Sequence, residues 1–209
     1  QYQPSMGLSR CDIDIGPILP PVNSHVPISI NNNDDFLNLA NGVNGGGDGT
    51  EGNPFIIEGW VISASSANGI TIQNTDKYFI IRNCLVKNGG NGYYGILLAN
   101  VINGTIENNN CSSNYHGIFL NYSSNNTLTN NTCKSSYRTG IQMEKSSNNI
   151  LTGNNCSNNG YFGIHLWSSS NNNLTNNTCL NYGPSGIGIY LHGSGSSNNT
   201  ISNNTCQNN

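Results

Sequence analysis

The sequence is poor in charged residues and lacks long apolar runs. Charged side chains make up 8% of the 209 residues, the net charge is -3, and the 7 Lys and Arg residues are scattered. Nucleic-acid binding needs a dense basic surface, so a nucleic-acid partner is excluded. No apolar run approaches the length of a bilayer-spanning helix, and no membrane span is predicted.

Helix-forming stretches are also scarce, and an internal repeat takes their place. The segment NNTLTNNTC at 125–133 returns in variant form at 148–156, 171–179 and 198–206. Such a unit is too small to bury its own apolar side chains, so it must stack on its neighbours. The repeat therefore predicts a solenoid.

Each repeat contains two short apolar runs separated by Asn, Ser and Gly. The first run is Gly-Ile-x-Leu or a close variant, whose two apolar side chains share one face of a strand. The second run centres on one aliphatic residue: Ile80, Ile106, Leu128, Leu151, Leu174 and Ile201. Asn and Gly between the runs suit sharp corners. Short strands and corners in about 23 residues predict an all-β parallel β-helix.

Cysteine and asparagine recur in register with these strands. The ladder cysteines are Cys84, Cys111, Cys133, Cys156, Cys179 and Cys206, and we expect an inward column of thiols rather than strained disulfides. Cys11 is predicted to lie outside the ladder, unpaired or in an intermolecular or long-range bridge. Asn109, Asn131, Asn154, Asn177 and Asn204 precede ladder cysteines by two positions, and their amides are expected to hydrogen-bond along a column.

With these motifs in hand, the sequence resembles right-handed parallel β-helix proteins of the pectin-lyase-like superfamily. The wording NNTLTNNTC and SxxGIxL is similar to the NosD and carbohydrate-binding/sugar-hydrolase repeats of archaeal and bacterial surface proteins. The resemblance covers 55–209 and implies a right-handed helix of about six to seven coils. It leaves the activity open, because the fold hosts lyases, hydrolases, accessory proteins and inert scaffolds.

The N-terminal third divides into two segments before the β-helix at 55–209. Residues 1–33 are proline-rich and apolar, and are predicted to form an extended arm that packs on its own solenoid or pairs with another subunit. Residues 34–54 are predicted to contain a short capping helix at 34–40, with Asn33 or Asp34 as its N-cap, followed by a Gly-rich loop.

The spacing of acids and histidines does not indicate a catalytic or metal site. Glu58, Asp76, Glu107 and Glu144 are the only acids of the predicted solenoid, and no two are expected to stack on each other. Since carbohydrate hydrolysis uses paired carboxylates, we predict that the chain is not an enzyme. His116, His165 and His192 occupy different columns, so neither a bound metal nor a cofactor is expected.

One aromatic feature and one modification motif remain. Tyr93, Tyr115, Tyr137, Tyr161 and Tyr182 recur just before the Gly-Ile-x-Leu strand, and predict a stabilising stack, a sugar platform or a subunit interface. N-glycosylation sequons occur at Asn103, Asn110, Asn121, Asn125, Asn130, Asn155, Asn173, Asn176, Asn198 and Asn203. With the low charge, they favour a secreted, extracellular or cell-surface glycoprotein.

The last coil is expected to lack a cap, which would leave it open to another molecule. The main functional hypothesis is therefore a structural protein that forms head-to-tail filaments with copies of itself. The N-terminal arm and first coil of one subunit would cover the last coil of the next. The alternative is a carbohydrate-binding or polysaccharide-processing module of a larger surface protein, with glycans as partners.

Overall fold

A computed structural model describes residues 23–180 and 186–207. The chain winds into a parallel β-helix, with two seven-stranded parallel sheets and a third, interrupted sheet along its length. The predicted all-β solenoid is confirmed. The strands are β1 (Ser24–His25), β2 (Ile28–Ile30), β3 (Phe55–Glu58), β4 (Val61–Ser63), β5 (Ile70–Thr75), β6 (Phe79–Arg82), β7 (Leu85–Lys87), β8 (Ile96–Val101), β9 (Gly104–Glu107), β10 (His116–Asn121), β11 (Thr127–Thr129), β12 (Thr139–Glu144), β13 (Ile150–Thr152), β14 (Phe162–Trp167), β15 (Asn173–Thr175), β16 (Thr178–Leu180), β17 (Ile187–His192), β18 (Thr200–Ser202) and β19 (Thr205–Gln207).

The strands form three faces of the solenoid. Face 1 contains β2, β5, β8, β10, β12, β14 and β17, and face 2 contains β3, β6, β9, β11, β13, β15 and β18. Face 3 contains β1, β4 and β7 at one end and β16 and β19 at the other, connected by single bridges along the middle coils. Every strand pair is parallel and in register, so equivalent residues of successive coils lie side by side.

The core consists of aliphatic columns from the three faces. On face 1, Ile118, Ile141 and Ile164 are aligned and fully buried. On face 2 the column is Ile81, Ile106, Leu128, Leu151 and Leu174. The sequence assignment of Ile80 to this column is wrong by one residue: Ile80 aligns with Thr105 and Ile81 with Ile106. The strand lies closer to its cysteine here than in the later coils, and pairing with Ile106 decides which of two adjacent isoleucines points inward.

Buried asparagines satisfy the backbone at the corner before the cysteine column. The Asn154 carboxamide accepts from the backbone N–H of Asn131 at 3.0 Å and donates to Leu128 O and Asn177 Oδ1, each at 2.9 Å. A second ladder of Asn126, Asn149, Asn172 and Asn199 repeats the pattern. Polar groups that cannot reach water at these corners are thereby paired along the solenoid.

The glycine of the Gly-Ile-x-Leu strand is required by the cysteine of the same interior. A Cβ placed on Gly117 would lie 2.7 Å from the Cys133 Cβ, and one on Gly140 would lie 2.8 Å from the Cys156 Cβ. Neither distance leaves room for a methyl group. The cysteine therefore fills the space beside the strand that the glycine leaves empty, and the two residues recur together for this reason.

The N-terminal region differs from the sequence prediction. The expected helix at 34–40 is instead two 3-10 turns, Asn33–Leu37 and Leu39–Asn41, and Asn32 is the N-cap of the first. Asn38 interrupts the run because its side chain caps the second turn through Ala40 N. Strands β1 and β2 belong to the solenoid although they lie within the segment expected to be an arm. In the described ranges, no helical segment has the length and apolarity needed to cross a bilayer.

Candidate functional site

The outer surface of face 1 carries three rows of side chains that cross the coils. The first row contains His116, Thr139, Phe162 and Ile187, the middle row Leu97, Phe119, Gln142, His165 and Tyr190, and the third row Ala99, Asn121, Glu144, Trp167 and His192. Because strands stack at about 4.8 Å, neighbours within and between rows are in contact range. The residues therefore form a two-dimensional grid rather than separate columns.

Within this grid, β10, β12 and β14 surround a cleft of about 180 Å³. Its lining combines a cation, a carboxylate, two histidines, an amide and two aromatic rings. The lining residues are His116, Arg138, Thr139, Gln142, Glu144, Phe162, His165 and Trp167. We call this the face 1 cleft.

His165 is held in one orientation by Gln142. Its Nδ1 lies 2.9 Å from Gln142 Oε1, and because that oxygen can only accept, Nδ1 carries the hydrogen. The other ring nitrogen, Nε2, is buried without a hydrogen-bond partner in the described part of the chain. Burial, followed by the nearby His192 and Arg138, lowers the pKa of His165 to about 4. At neutral pH the ring is uncharged and Nε2 offers a lone pair.

His116 lies beside this group and is even more enclosed. It is 7% exposed, and its Nδ1 has no partner among the residues the structure describes. Burial lowers the pKa of His116 to about 3, and Arg138 and His165 contribute in the same direction. A buried polar atom without a partner costs free energy, so both histidines offer contacts that a ligand could complete.

The two charges of the face 1 cleft come from β12 and the residue before it. The exposed Arg138 donates from Nη1 to Tyr115 Oη at 3.2 Å, and its guanidinium carbon lies 5.4 Å from the Tyr161 ring centroid. Glu144 is half-buried and forms no ion pair; Arg82 and Glu58 form the one found across 23–180 and 186–207. Arg138 and Glu144 thus keep their charges available to a ligand.

Aromatic rings extend from the cleft toward β17. Phe162 and Tyr190 stack with centroids 5.0 Å apart, and the His165 and Tyr190 rings are 5.1 Å apart. Trp167, 43% exposed, lies 6.2 Å from His192 by ring centroids. The result is a continuous ring surface next to the polar groups.

The tyrosine ladder lies at the corner that borders this face. Tyr115 and Tyr137 stack at 5.9 Å, whereas Arg138 occupies the next step by covering Tyr161. Tyr93, Tyr137 and Tyr161 are 37%, 55% and 46% exposed. Tyr182 is outside the described residues. Whether the ladder binds sugar, joins subunits or only stabilises the corner stays a prediction.

The remaining predicted residues are spread along the solenoid. Cys84, Cys111, Cys133, Cys156 and Cys179 are buried, whereas Cys206 in the last described strand is exposed. All six are thiols rather than disulfides, and Cys11 is outside the described residues. Seven sequon asparagines are exposed, and Asn103, Asn121 and Asn155 are half-buried. Glycosylation stays a prediction.

Sequence reasoning missed the face 1 cleft because it compared residues down columns. His116, Arg138, Glu144 and His165 come from different columns of three successive coils, and the stacking of β10, β12 and β14 on face 1 brings them together. The sequence does contain a signal for this cleft. In the middle row, polar and aromatic residues replace one another from coil to coil, whereas the inward positions on either side stay aliphatic or Met. Neighbouring rows on one face had to be read together.

The family model for NosD, described as periplasmic copper-binding protein, matches residues 29–209. The chain belongs to this family, and the predicted relationship is confirmed. The comparison with curated proteins returns no match.

Copper does not fit the donor set that the structure presents. Over the described ranges, no three His, Cys, Asp or Glu side chains come together to hold a metal ion. The rings of His165 and His192 have centroids 6.4 Å apart, and the cysteine column is mostly buried in the core.

Solved structures show the same fold. A mutant of the periplasmic alginate epimerase AlgG is 20% identical with a TM-score of 0.57, over 73% of this chain and 45% of that one. The AlgE6 A-module, a mannuronan C-5 epimerase of Azotobacter vinelandii, is 15% identical with a TM-score of 0.59, over 74% and 52%. The Dettilon tailspike protein is 23% identical with a TM-score of 0.58, over 71% and 35%.

These likenesses correct the prediction that the chain is not an enzyme. Five of the seven matched structures are epimerases, so enzymes share this fold and the missing carboxylate pair is not a ground for excluding an activity. At these identities the likeness establishes the fold. The chain matches about half or less of each solved protein, and an activity for it is a proposal.

Proposed function

We propose that the chain is a polysaccharide-binding and polysaccharide-processing β-helix module, with the sugar polymer lying on face 1 and reacting in the face 1 cleft. The observation that carries the proposal is the juxtaposition of unpartnered histidine nitrogens with Arg138, Glu144 and aromatic rings. The names of the matched epimerases support the substrate class. This support favours the carbohydrate alternative over the head-to-tail filament.

Binding follows from the mixed character of the surface. The apolar faces of sugar rings pack on aromatic side chains, and their hydroxyls pair with amides, carboxylates and imidazoles. Trp167 and Tyr190 supply the ring surface, and Gln142 and Glu144 supply hydrogen-bonding groups on the neighbouring strand β12. An open groove across several coils suits a polymer better than a small molecule.

The charges favour an acidic sugar. Arg138 supplies a cation on the outer edge of the cleft, the two uncharged histidines add no charge of either sign, and Glu144 is the one negative group that lines it. A uronate carboxylate at Arg138 would gain a charge-assisted hydrogen bond. The same carboxylate would also raise the pKa of His165 towards its ordinary value and strengthen it as a base.

The reaction that this arrangement suits is proton transfer at the carbon next to the carboxylate. His165 Nε2 accepts the proton, and the electron pair left on carbon is delocalised into the carboxylate, which Arg138 stabilises. Return of a proton to the carbon completes the exchange, with inversion if it arrives from the other side. Glu144 is the one carboxylate lining the face 1 cleft, so a two-carboxylate hydrolysis is not favoured.

The test is binding and isotope exchange with defined polymers. Alginate and polygalacturonate are compared with neutral mannan by calorimetry, and nuclear magnetic resonance in D₂O follows deuterium entering the sugar. We expect binding of an acidic polymer and deuterium at the carbon beside its carboxylate. Arg138→Gln should weaken binding about tenfold or more, the loss of one charge-assisted hydrogen bond.

Lys87→Gln is the matched control, because it removes a cation from face 3 and should leave binding unchanged. His165→Gln should abolish exchange with a smaller effect on binding. Equal affinity for mannan, or exchange that survives His165→Gln, would refute the proposed site. The family description as periplasmic supports a location outside the cytoplasm, and glycan or self-association partners remain part of the proposal.

A further inference from the structure

An apolar groove lies at the N-terminal end of the solenoid, far from the face 1 cleft in the order of coils. It encloses about 460 Å³. We call it the N-terminal groove, and its apolar lining is Phe36, Leu37, Leu39, Val43, Phe55 and Trp60. Leu37 and Leu39 are 69% and 77% exposed. Two exposed leucines beside a formed groove indicate a surface that another apolar segment covers.

The walls of the N-terminal groove are already fixed by hydrogen bonds. Asn44 and Gly45 donate from their backbone N–H groups to Ile56 O at 3.0 and 3.2 Å, and Trp60 Nε1 donates to Gly42 O at 2.8 Å. Phe36 stacks on Phe55 with ring centroids 4.7 Å apart. A segment that binds here therefore meets a preformed apolar surface, and the adjacent edge of β3 is already hydrogen-bonded to Asn44 and Gly45. It must contribute side chains rather than strand pairing.

The described chain begins next to this groove. Val61 N donates to Asn23 O at 2.9 Å, and Ser24 is paired in register with Val61. The same register puts Asn23 opposite Trp60, which lines the groove. Residues 1–22 are thus joined to the described structure at the groove wall.

The composition of that segment matches what the groove requires. Five aliphatic residues fall within ten positions: Ile13, Ile15, Ile18, Leu19 and Val22. Three prolines in the same stretch, Pro17, Pro20 and Pro21, lack the N–H needed for a strand ladder. Ten residues can span up to about 35 Å, enough to cross the groove.

We propose that residues 13–22 occupy the N-terminal groove of their own chain, cover Leu37 and Leu39, and cap the first coil. Covering those leucines and the edge of Trp60 removes apolar surface from water, which is the driving force. The family match covers residues 29–209 and does not include these ten residues. The inference is independent of the polysaccharide proposal.

The test uses Trp60 as a reporter in the full chain. The chain has 2 tryptophans, so Trp167→Phe leaves Trp60 as the single fluorophore. In that background, Ile15→Asp combined with Ile18→Asp should shift Trp60 emission to the red and increase its quenching by acrylamide. Amide exchange across 36–47 should rise. Ser5→Asp combined with Ser9→Asp adds the same charge outside the ten residues and should change neither.

A second variant probes the groove itself. Leu39→Ser should raise exchange across 13–22, because the exposed position tolerates serine while the contact is lost. Unchanged emission and exchange in the Ile15/Ile18 variant would overturn the proposal. A wild-type signal that disappears on dilution, together with dimers in sedimentation, would also overturn it by making a second copy the occupant.

Discussion

The buried asparagine ladder makes Asn154→Ala a decisive perturbation of the solenoid. The Asn154 side chain accepts from the backbone N and Nδ2 of Asn131, both at 3.0 Å, and donates to Leu128 O and Asn177 Oδ1, both at 2.9 Å. Alanine removes all four bonds. The backbone N–H of Asn131 then has no acceptor in a fully buried corner.

The loss in free energy of unfolding can be estimated from these hydrogen bonds. Each intramolecular hydrogen bond contributes about 1 kcal/mol net, so four lost bonds cost about 4 kcal/mol. The free energy of unfolding should therefore fall by about 3–5 kcal/mol. Because coils couple mainly to their nearest neighbours, the amide of Asn131 should also lose protection while distant coils keep theirs.

Urea denaturation followed by circular dichroism measures the change, and hydrogen exchange locates it. Asn173→Ala is the control, because that side chain is exposed and bonded to Thr175 Oγ1 on the outside of face 2. The control should cost at most about 0.5 kcal/mol. If Asn154→Ala cost less than about 1 kcal/mol, the ladder would not be a major source of stability and the reasoning would fail.

Three further predictions test packing, titration and thiol burial. Gly117→Ala should destabilise the chain by about 1–3 kcal/mol in thermal unfolding because its methyl overlaps the Cys133 Cβ, whereas Gly46→Ala, with open space around it, should be neutral; equal effects would refute the packing argument. His165 has a folded pKa of about 4, below its ordinary value, so only the unfolded chain gains this proton as pH falls from 6.5 to 4 and stability should decline over that window. His165→Gln should reduce the slope of the urea midpoint against pH and leave the part due to His116, whose pKa is lowered to about 3; an unchanged slope would contradict the assignment. The Cys206 side chain is exposed, but partial desolvation of its thiol, together with the neighbouring Cys179, raises the pKa to about 11. Iodoacetamide labelling read by mass spectrometry should therefore accelerate between pH 8 and 10. The five buried ladder thiols should react only after denaturation, and their native labelling would disprove the closed core.

The columns could be predicted from the sequence because an in-register solenoid converts spacing directly into contact. Asn131, Asn154 and Asn177 stand 23 residues apart and are hydrogen-bonded neighbours. The same logic failed for Ile80, where the spacing from the strand to the ladder cysteine is shorter and the partner strand selects Ile81. It also failed for the helix at 34–40, where Asn38 caps a second turn and splits the segment.

The face 1 cleft was beyond that logic for a different reason. Interior positions repeat because each must match the coil above and below in size and polarity, so departures from the repeat are destabilising there. Outward positions carry no such restriction, and catalysis or recognition requires unlike side chains next to one another. Gln142 beside His165 is such a pair: the two occupy equivalent positions in adjacent coils, and their difference allows one to orient the other. In a repeat protein, the residues that break the repeat on one outer face are therefore the first candidates for a binding or catalytic site. A search for acids that repeat in every coil instead examines positions that are constrained mainly by stacking.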